Sequence, residues 1–344
     1  MRTRRHAAFI VAGAVALAGI VLAADPVSAR AGRSAEPEDP HQGPAPLDPV
    51  PAGQVSAQAV TYSLMLFHVR EPREEPARTF AMLARKAVPG LSIDAADAGA
   101  SPAFRQASSG WPRAQAAMVE IQPPDVESVA SGSHQVDLTD QERLRRCRTA
   151  FVIGFLARPA GWYPTLHRIQ RLVHELAIRT GGLIWDPQAR ELFTAASFAS
   201  RRLAGWAGDR PLVTHHLSLR GPRLDEHPRL TTRGMAAFGL PDVLAAGVGV
   251  SARPRAEGLL MLVADVLVAT PRLDRTGELT ARPCSCRDPD VRRRIWSDAL
   301  RRAMRIPVRV GARAAVDRNR LIEILPADGW DGLLRPFHEP GGTR

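Results

Sequence analysis

The chain has 344 residues, 46 Lys and Arg against 35 Asp and Glu, and a formal net charge of +11 at pH 7. Its three cysteines are too few for the disulfide framework of a small secreted domain. High basicity ordinarily points to a nucleic-acid partner, but Lys86 is the only lysine here and Asn319 the only asparagine. The loss of both residue types is typical of a G+C-rich genome. Codon usage therefore explains much of the basicity, and we predict no nucleic-acid partner.

The first 29 residues have the three parts of a secretory signal. Basic Arg2, Arg4 and Arg5 precede an uncharged stretch from Ala7 to Ala24, and small residues end the segment at Ala29. We therefore expect export to the periplasm or cell envelope. This location is separated from the nucleotide cofactors of the cytoplasm, so no cofactor is predicted. The alternative is an uncleaved anchor, since the apolar stretch is at the short limit of what spans a bilayer.

Residues 30–57 are predicted to be a disordered linker. This segment has proline at six positions within fifteen residues, interspersed with acidic residues, glutamine and glycine: Pro37, Pro40, Pro44, Pro46, Pro49 and Pro51. Such a composition cannot bury enough apolar surface to fold.

A first α+β unit is predicted over residues 58–140. It opens with a buried strand, Thr61–Val69, and continues with a helix, Pro76–Ala87, that presents Phe80, Leu83 and Ala84 on one face. Short strands follow at Leu91–Asp94 and Ala116–Ile121.

A second α+β unit is predicted over residues 141–335, packed with the first in one globular region. Its opening repeats the order of the first: a strand at Ala150–Ala157, a helix beginning near Pro164 and a strand at Leu183–Asp186. The apolar residues of this helix recur at helical spacing, and Gly181 ends it as a left-handed cap would. They are Leu166, Ile169, Leu172, Val173 and Leu176. The pattern favours duplicated β-α-β units and a mixed sheet with helices packed on one face.

The remaining elements of this unit are predicted from apolar runs and capping residues. We expect a helix over Ala196–Trp206, a strand over Pro211–Arg220 and a buried helix over Glu257–Ala269. Asp288 is predicted to cap a basic helix over 289–305, because Pro289 and Asp290 follow it. Two closing strands are expected at Val308–Val316 and Arg320–Leu325.

Two segments carry a resemblance to a known group. Gly181–Pro187, which reads Gly-Gly-Leu-Ile-Trp-Asp-Pro after a long amphipathic helix, and Thr232–Asp242 are similar to paired patterns in uncharacterised bacterial α+β domains of unknown function. The likeness covers about residues 151–269. It implies an α+β fold and transfers no activity.

The densest group of catalytic candidates is His215, His216, Asp225 and His227. On a strand His215 and His216 would point to opposite faces, so the two could not easily bind one metal ion, and no metal site is predicted. The more ordinary interpretation is one buried and one exposed histidine. Asp265, inside an apolar run, is the one acid whose pKa burial would raise, although a structural hydrogen bond is the more common role for such a residue.

The three cysteines, Cys147, Cys284 and Cys286, are candidates for one disulfide in an oxidising compartment. Cys284 and Cys286 could close a small ring, one of them could pair with Cys147, or the two could hold a soft metal. A two-sulfur site without a nearby histidine is a weak metal signal, so one disulfide is favoured, and its connectivity is left open by the sequence.

The sequence holds neither the Gly-x-Ser-x-Gly motif nor a glycine-rich phosphate loop. We therefore expect a non-catalytic binding or interaction module whose partner is an envelope protein or polymer. The alternative is an envelope hydrolase or metal-dependent enzyme that uses the region of His215, His216 and His227. Membrane contact is expected only through an uncleaved signal or the basic helix 289–305.

Overall fold

The computed structural model describes residues 60–88, 91–94, 114–121, 129, 138–157, 161–221, 229–272, 278–283, 286–295, 302–313, 319–326 and 329–337. The predicted signal and linker lie outside these residues. Two units make up the described chain, and they divide between Pro211 and Leu212, with Ala236–Gly239 belonging to the first. The boundary predicted from the sequence was at 140/141 instead. That position lies inside the first unit, because the strand after it pairs with strands before it.

A mixed sheet forms the centre of the first unit. Its described strands are β1 (Val60–His68), β2 (Leu91–Asp94), β3 (Ala114–Ile121), β4 (Thr149–Ala157), β5 (Leu183–Asp186) and β6 (Glu191–Phe193). They lie in the order β2-β3-β4-β1-β5-β6. The pair β2–β3 is parallel, and each of the other pairs is antiparallel.

Two β-α-β units interleave in this sheet. Helix α1 (Pro76–Ala87) joins β1 to β2 and β3, and helix α3 (Trp162–Thr180) joins β4 to β5. The strands joined by each helix run in the same direction, but a strand of the other unit lies between them. This is the split β-α-β arrangement of the ferredoxin-like topology. The predicted α+β class is confirmed, and the repeated strand-helix-strand order is present.

Local residues explain where the two long helices begin and end. The Glu75 carboxylate accepts from the first backbone N–H groups of α1, and Pro76 takes the first helical position. Helix α3 ends at Gly181, whose φ of 79° is the left-handed conformation that glycine adopts without strain. The start of α1 at Pro76 and the end of α3 at Gly181 were both predicted from the sequence.

The sheet of the first unit is covered on both faces. Helices α1 and α3 pack against each other on one face, where Phe80 of α1 contacts Phe155 of β4 edge to face. The opposite face buries Met65, Val152 and Trp185 with Leu144 of the short helix α2 (Leu138–Arg145). The helix α2 on this second face was not foreseen.

The end of the first unit is a helix followed by a ribbon. Helix α4 (Ala195–Phe198) has a capping box made by Thr194 and Ser197, and it continues into a π-helical turn, Ala199–Leu203. Strands β7 (Trp206–Ala207) and β8 (Arg210–Pro211) then form a two-residue hairpin. The helix predicted over Ala196–Trp206 is therefore wrong at its end, because Trp206 pairs in the ribbon.

The second unit also contains a mixed sheet, with described strands in the order β12-β13-β14-β11-β10-β9. They are β9 (Ser218–Arg220), β10 (Leu230–Arg233), β11 (Asp242–Ala245), β12 (Glu278–Ala281), β13 (Met304–Arg313) and β14 (Arg320–Ile324). Its described helices are α5 (Val213–His216), α6 (Arg253–Ala269), α7 (Pro289–Arg293) and α8 (Trp330–Leu334). Helix α6 is buried nearly all round, as its sequence indicated.

Two local predictions for the second unit are wrong. Residues 213–216 form a helical turn rather than part of a strand, because the Asp288 carboxylate accepts from both the backbone N–H and the hydroxyl of Thr214. The basic helix expected over 289–305 ends at Arg293, and Met304 already pairs with Ala281 in the sheet. Among the helices that the structure describes, none has the length and apolar character needed to cross a bilayer.

Candidate functional site

The described part of the predicted catalytic group is a pair of adjacent histidines in α5. His216 is buried and His215 is half-buried, so the two side chains have different surroundings. Asp225 and His227 lie outside the described residues. Within the described residues, no group of three or more His, Cys, Asp or Glu side chains is arranged to hold a metal ion. The catalytic hypothesis for this group stays a prediction.

The described cysteines are free thiols. Cys147 is half-buried and donates to the Thr149 carbonyl at 3.1 Å, and burial raises the pKa of its thiol. Burial, reinforced by the Asp265 carboxylate, raises the pKa of the Cys286 thiol much further. A protonated thiol is neither a strong nucleophile nor a metal ligand. Cys284 lies outside the described residues, and the disulfide stays a prediction.

The buried carboxylate of Asp288 has a structural role in the second unit. One of its oxygens accepts from the backbone N–H groups of Asp290 and Val291 at 3.0 and 3.3 Å, which caps α7. The other accepts from Thr214 at 2.9 Å (backbone N–H) and 2.7 Å (hydroxyl). With these four bonds the carboxylate joins α5 to α7 and is fully engaged.

A buried ionic cluster lies in the first unit, and sequence reasoning missed its organisation. Arg202, in the π-helical turn, is 1% exposed. Its Nη2 donates to Asp186 Oδ2 at 3.0 Å and to Glu191 Oε2 at 2.7 Å. Arg201 contacts the second Glu191 oxygen at 2.9 Å. The two arginines balance the two carboxylates, which is what charges at this depth require.

Neighbouring groups complete the surroundings of this ionic cluster. The Arg202 guanidinium lies 4.8 Å from the centre of the Phe193 ring, a cation–π distance. Asp186 Oδ1 accepts from the backbone N–H groups of Gln188 and Ala189, both at 3.1 Å. Burial and the nearby charge of Asp186 raise the pKa of Tyr62 well above its ordinary value. These groups hold β5, β6 and the π-helical turn together.

The best candidate for a recognition site is a group of half-buried side chains that we name the Trp206 surface. It consists of Tyr163 and His167 from α3 and Trp206 and Arg210 from the ribbon. The His167 and Trp206 rings are stacked, with centroids 4.5 Å apart and planes 13° from parallel. Trp206 Nε1 donates to Gln170 Oε1 at 3.0 Å. The indole is therefore fixed both by stacking and by a hydrogen bond.

Tyr163 is held at the beginning of α3 by the segment Ala236–Gly239. Its ring meets the buried Phe238 ring edge to face at 5.9 Å, and the neighbouring Trp162 donates from Nε1 to the Ala237 carbonyl at 2.5 Å. Burial raises the pKa of Tyr163 to about 12, although the nearby Arg210 acts in the opposite direction. The phenol is therefore neutral near pH 7.

His167 is neutral near pH 7 and therefore adds no positive charge to the Trp206 surface. Burial, and secondarily the nearby Arg171, lower the pKa of His167. A neutral imidazole stacked on an indole leaves the Arg210 guanidinium as the charged member of the group. The surface is thus aromatic with one cationic edge.

The sequence contained one signal for this surface. Gly208 and Asp209 form the two-residue turn between Trp206–Ala207 and Arg210–Pro211, and Gly208 has a φ of 68°. A glycine-containing two-residue turn is a hairpin signal, and it would have separated Trp206 from the preceding helix. The stacking partner His167 could not be identified, since it lies 39 residues earlier.

Comparison of the chain with protein-family models, with curated proteins and with solved structures finds no match. This outcome is consistent with the resemblance noted above, which was to bacterial α+β domains of unknown function.

Proposed function

We propose that this protein is exported to the cell envelope and acts there as a non-catalytic binding module, with the Trp206 surface as its contact for an envelope protein or polymer. The observation that carries the proposal is the fixed, half-exposed indole of Trp206. It is stacked on His167 and hydrogen-bonded to Gln170.

The residue types of this surface support a binding role. Tryptophan, tyrosine and arginine are the side chains most enriched among residues that dominate binding energy. A ring that is already immobilised loses little conformational entropy when a partner covers it. Gln170, which is 2% exposed, anchors the indole from the interior. The surface is therefore preorganised rather than assembled on contact.

The proposed export is tested by N-terminal sequencing of the protein recovered from the envelope fraction. A sequence that begins near Arg30 supports cleavage of the signal. A chain that keeps Met1 and resists high-salt washing would establish an anchor instead, and a chain recovered from the cytoplasm would contradict export.

The proposed contact is tested by photo-crosslinking in intact cells. A photoreactive residue at Asp209, which is exposed in the turn of the ribbon, should give a discrete crosslinked product. The same group at Arg146, on the other side of the sheet, should not. Trp206→Ala should abolish the Asp209 product at unchanged protein level.

Trp330→Ala is the matched control for loss of a tryptophan. Trp330 is also half-buried and donates from Nε1 to a backbone carbonyl, that of Ala246, at 3.1 Å, but it lies in the second unit. This variant should retain the Asp209 product. Loss of the product in both variants, or in neither, would contradict a contact centred on Trp206.

A further inference from the structure

The outward face of helices α1 and α3 has an excess of cations. Helix α1 contains Arg78, Arg85 and Lys86 and no acidic residue. Helix α3 adds Arg168 and Arg171, which occur at the spacing of one helix face. All five side chains are exposed. We name these five residues, together with Met82 and Ile178, the basic face.

The acidic residues beside the basic face are already engaged. Glu75 accepts from the backbone N–H groups of Ala77 and Arg78 at 3.0 and 2.7 Å, as the cap of α1. Glu74 accepts from the Thr79 hydroxyl at 3.1 Å. Glu175 and Glu74 both pair with Arg179, at 3.0 and 3.8 Å. Within the described residues, the five cations of the basic face have no ion-pair partner.

Two apolar side chains are exposed among these cations. Met82 is 48% exposed and Ile178 is 53% exposed, and they are two of the three large apolar side chains that are exposed in the described part of the chain. Met82 lies between Arg78 and Arg85 at helical spacing. The surface depression around it has a volume of about 660 Å³ and is lined by residues that include Arg78, Arg85 and Arg179.

We propose that the basic face binds the surface of a membrane that contains anionic phospholipid. Lipid phosphates are attracted to the five cations of the basic face, and Met82 and Ile178 are placed to enter the boundary between headgroups and acyl chains. This assignment does not depend on the Trp206 surface. It also replaces the basic helix predicted over 289–305, which the structure ends at Arg293.

The distribution of the cations favours a membrane over an acidic protein helix. Helix α1 is about 18 Å long, at 1.5 Å per residue, and packed helices lie about 8–10 Å apart. The cations are therefore spread over two rows, one on each helix, rather than along one line. A planar array of phosphates meets both rows at once, whereas a single acidic helix would cover one of them.

The test measures cosedimentation of the purified full chain with two kinds of vesicle. One contains 40% phosphatidylglycerol in phosphatidylcholine, and the other contains phosphatidylcholine alone. The test variant is the triple substitution Arg78→Gln, Arg85→Gln, Arg171→Gln. The matched control is Arg143→Gln, Arg145→Gln, Arg146→Gln, which removes the same charge from the end of α2 and the turn after it, on the other side of the sheet. The N-terminal segment is common to all proteins, so differences between variants do not arise from it.

The test variant should bind the anionic vesicles at least tenfold more weakly than the wild type, while the control stays within about twofold. Met82→Ser with Ile178→Ser keeps every charge and should also weaken binding. Circular dichroism should show that all variants are folded, and Trp206→Ala should bind vesicles like the wild type.

Three results would overturn the inference. Equal losses in the two triple variants would mean that net charge alone drives adsorption. Equal binding of the wild type to both vesicle types would show that anionic headgroups do not attract the basic face. Binding to polyglutamate that the test variant loses, without preference for anionic vesicles, would assign the basic face to an acidic polypeptide instead.

Discussion

Arg202 Nη2 and Glu191 Oε2 form a 2.7 Å ion pair in which both side chains are at most 6% exposed. The pair connects the π-helical turn to β6, and Asp186 connects the same guanidinium to β5. A buried pair of this kind contributes little net stability compared with an apolar replacement of all its members, but removing one member leaves a charge without a partner. The residues around Arg202 are therefore sensitive to single substitutions.

Arg202→Met should destabilise the first unit by about 3–5 kcal/mol, because only Arg201 would then balance the two buried carboxylates of Asp186 and Glu191. Urea denaturation monitored by circular dichroism measures the change. Arg201→Met, at a side chain that is 30% exposed, should cost about 1 kcal/mol or less.

A compensated variant separates charge from packing at this cluster. Arg202→Met combined with Asp186→Asn restores equal numbers of opposite charges, because Arg201 stays paired with Glu191, and we expect it to recover part of the lost stability. No recovery, together with equal losses for Arg202→Met and Arg201→Met, would mean that lost packing rather than charge explains the effect.

Asp288→Ala should cost about 1–3 kcal/mol, because it removes the cap of α7 and the acceptor for Thr214. Asp288→Asn keeps one acceptor oxygen and should cost less. Thermal denaturation of the two variants compares them directly. A cost for Asp288→Asn as large as that for Asp288→Ala would contradict the role of the cap, since asparagine is itself a good N-cap residue.

The sequence predicted those parts of the fold that depend on nearby residues. The apolar spacing of α3, the left-handed Gly181 and the cap formed by Asp288 each depend on residues within about one helix length. The helical turn Val213–His216 was missed because its stabilising carboxylate, Asp288, lies 74 residues later.

The candidate site was predicted less well than the fold, for the same reason. The Trp206 ring is fixed by His167 and Gln170, and both of these residues belong to α3. Arg202 similarly needs Asp186 and Glu191 from two strands. Side chains that converge from distant segments leave no periodic pattern, whereas His215, His216, Asp225 and His227 were predicted as a group because they are close in sequence.

His68 should make the first unit less stable in acid. The side chain is 1% exposed at the end of β1, its ring contacts Phe151 edge to face, and neither ring nitrogen has a hydrogen-bond partner among the described residues. Burial lowers its pKa from 6.5 to about 4. Between these two values the unfolded chain binds more protons than the folded chain, so stability falls as the pH drops from about 6.5 to about 4.

The size of this effect is bounded by the pKa difference, at about 3 kcal/mol, with little further change below the folded pKa. His68→Leu removes the titrating group and should show a smaller acid loss than the wild type in urea denaturation at pH 7, 5.5 and 4. His167 and His174, whose pKa values are also lowered, titrate in both proteins and cancel in the comparison. Identical pH profiles would contradict a proton-linked role for His68.

Leu176 and Arg171 offer a direct test of which face of α3 is buried. Leu176 is 0% exposed, and its side chain packs in the layer between α3 and the sheet, whereas Arg171 is exposed. Leu176→Ala removes apolar contacts and leaves a cavity, at a cost of about 2–5 kcal/mol. Arg171→Ala should cost less than about 1 kcal/mol, because it removes no buried contact. Urea midpoints of the two variants decide the matter, since equal shifts would mean that the helix packs through a different face. In that case the outward position of Arg171, and with it the lipid contact proposed for the basic face, would be wrong as well.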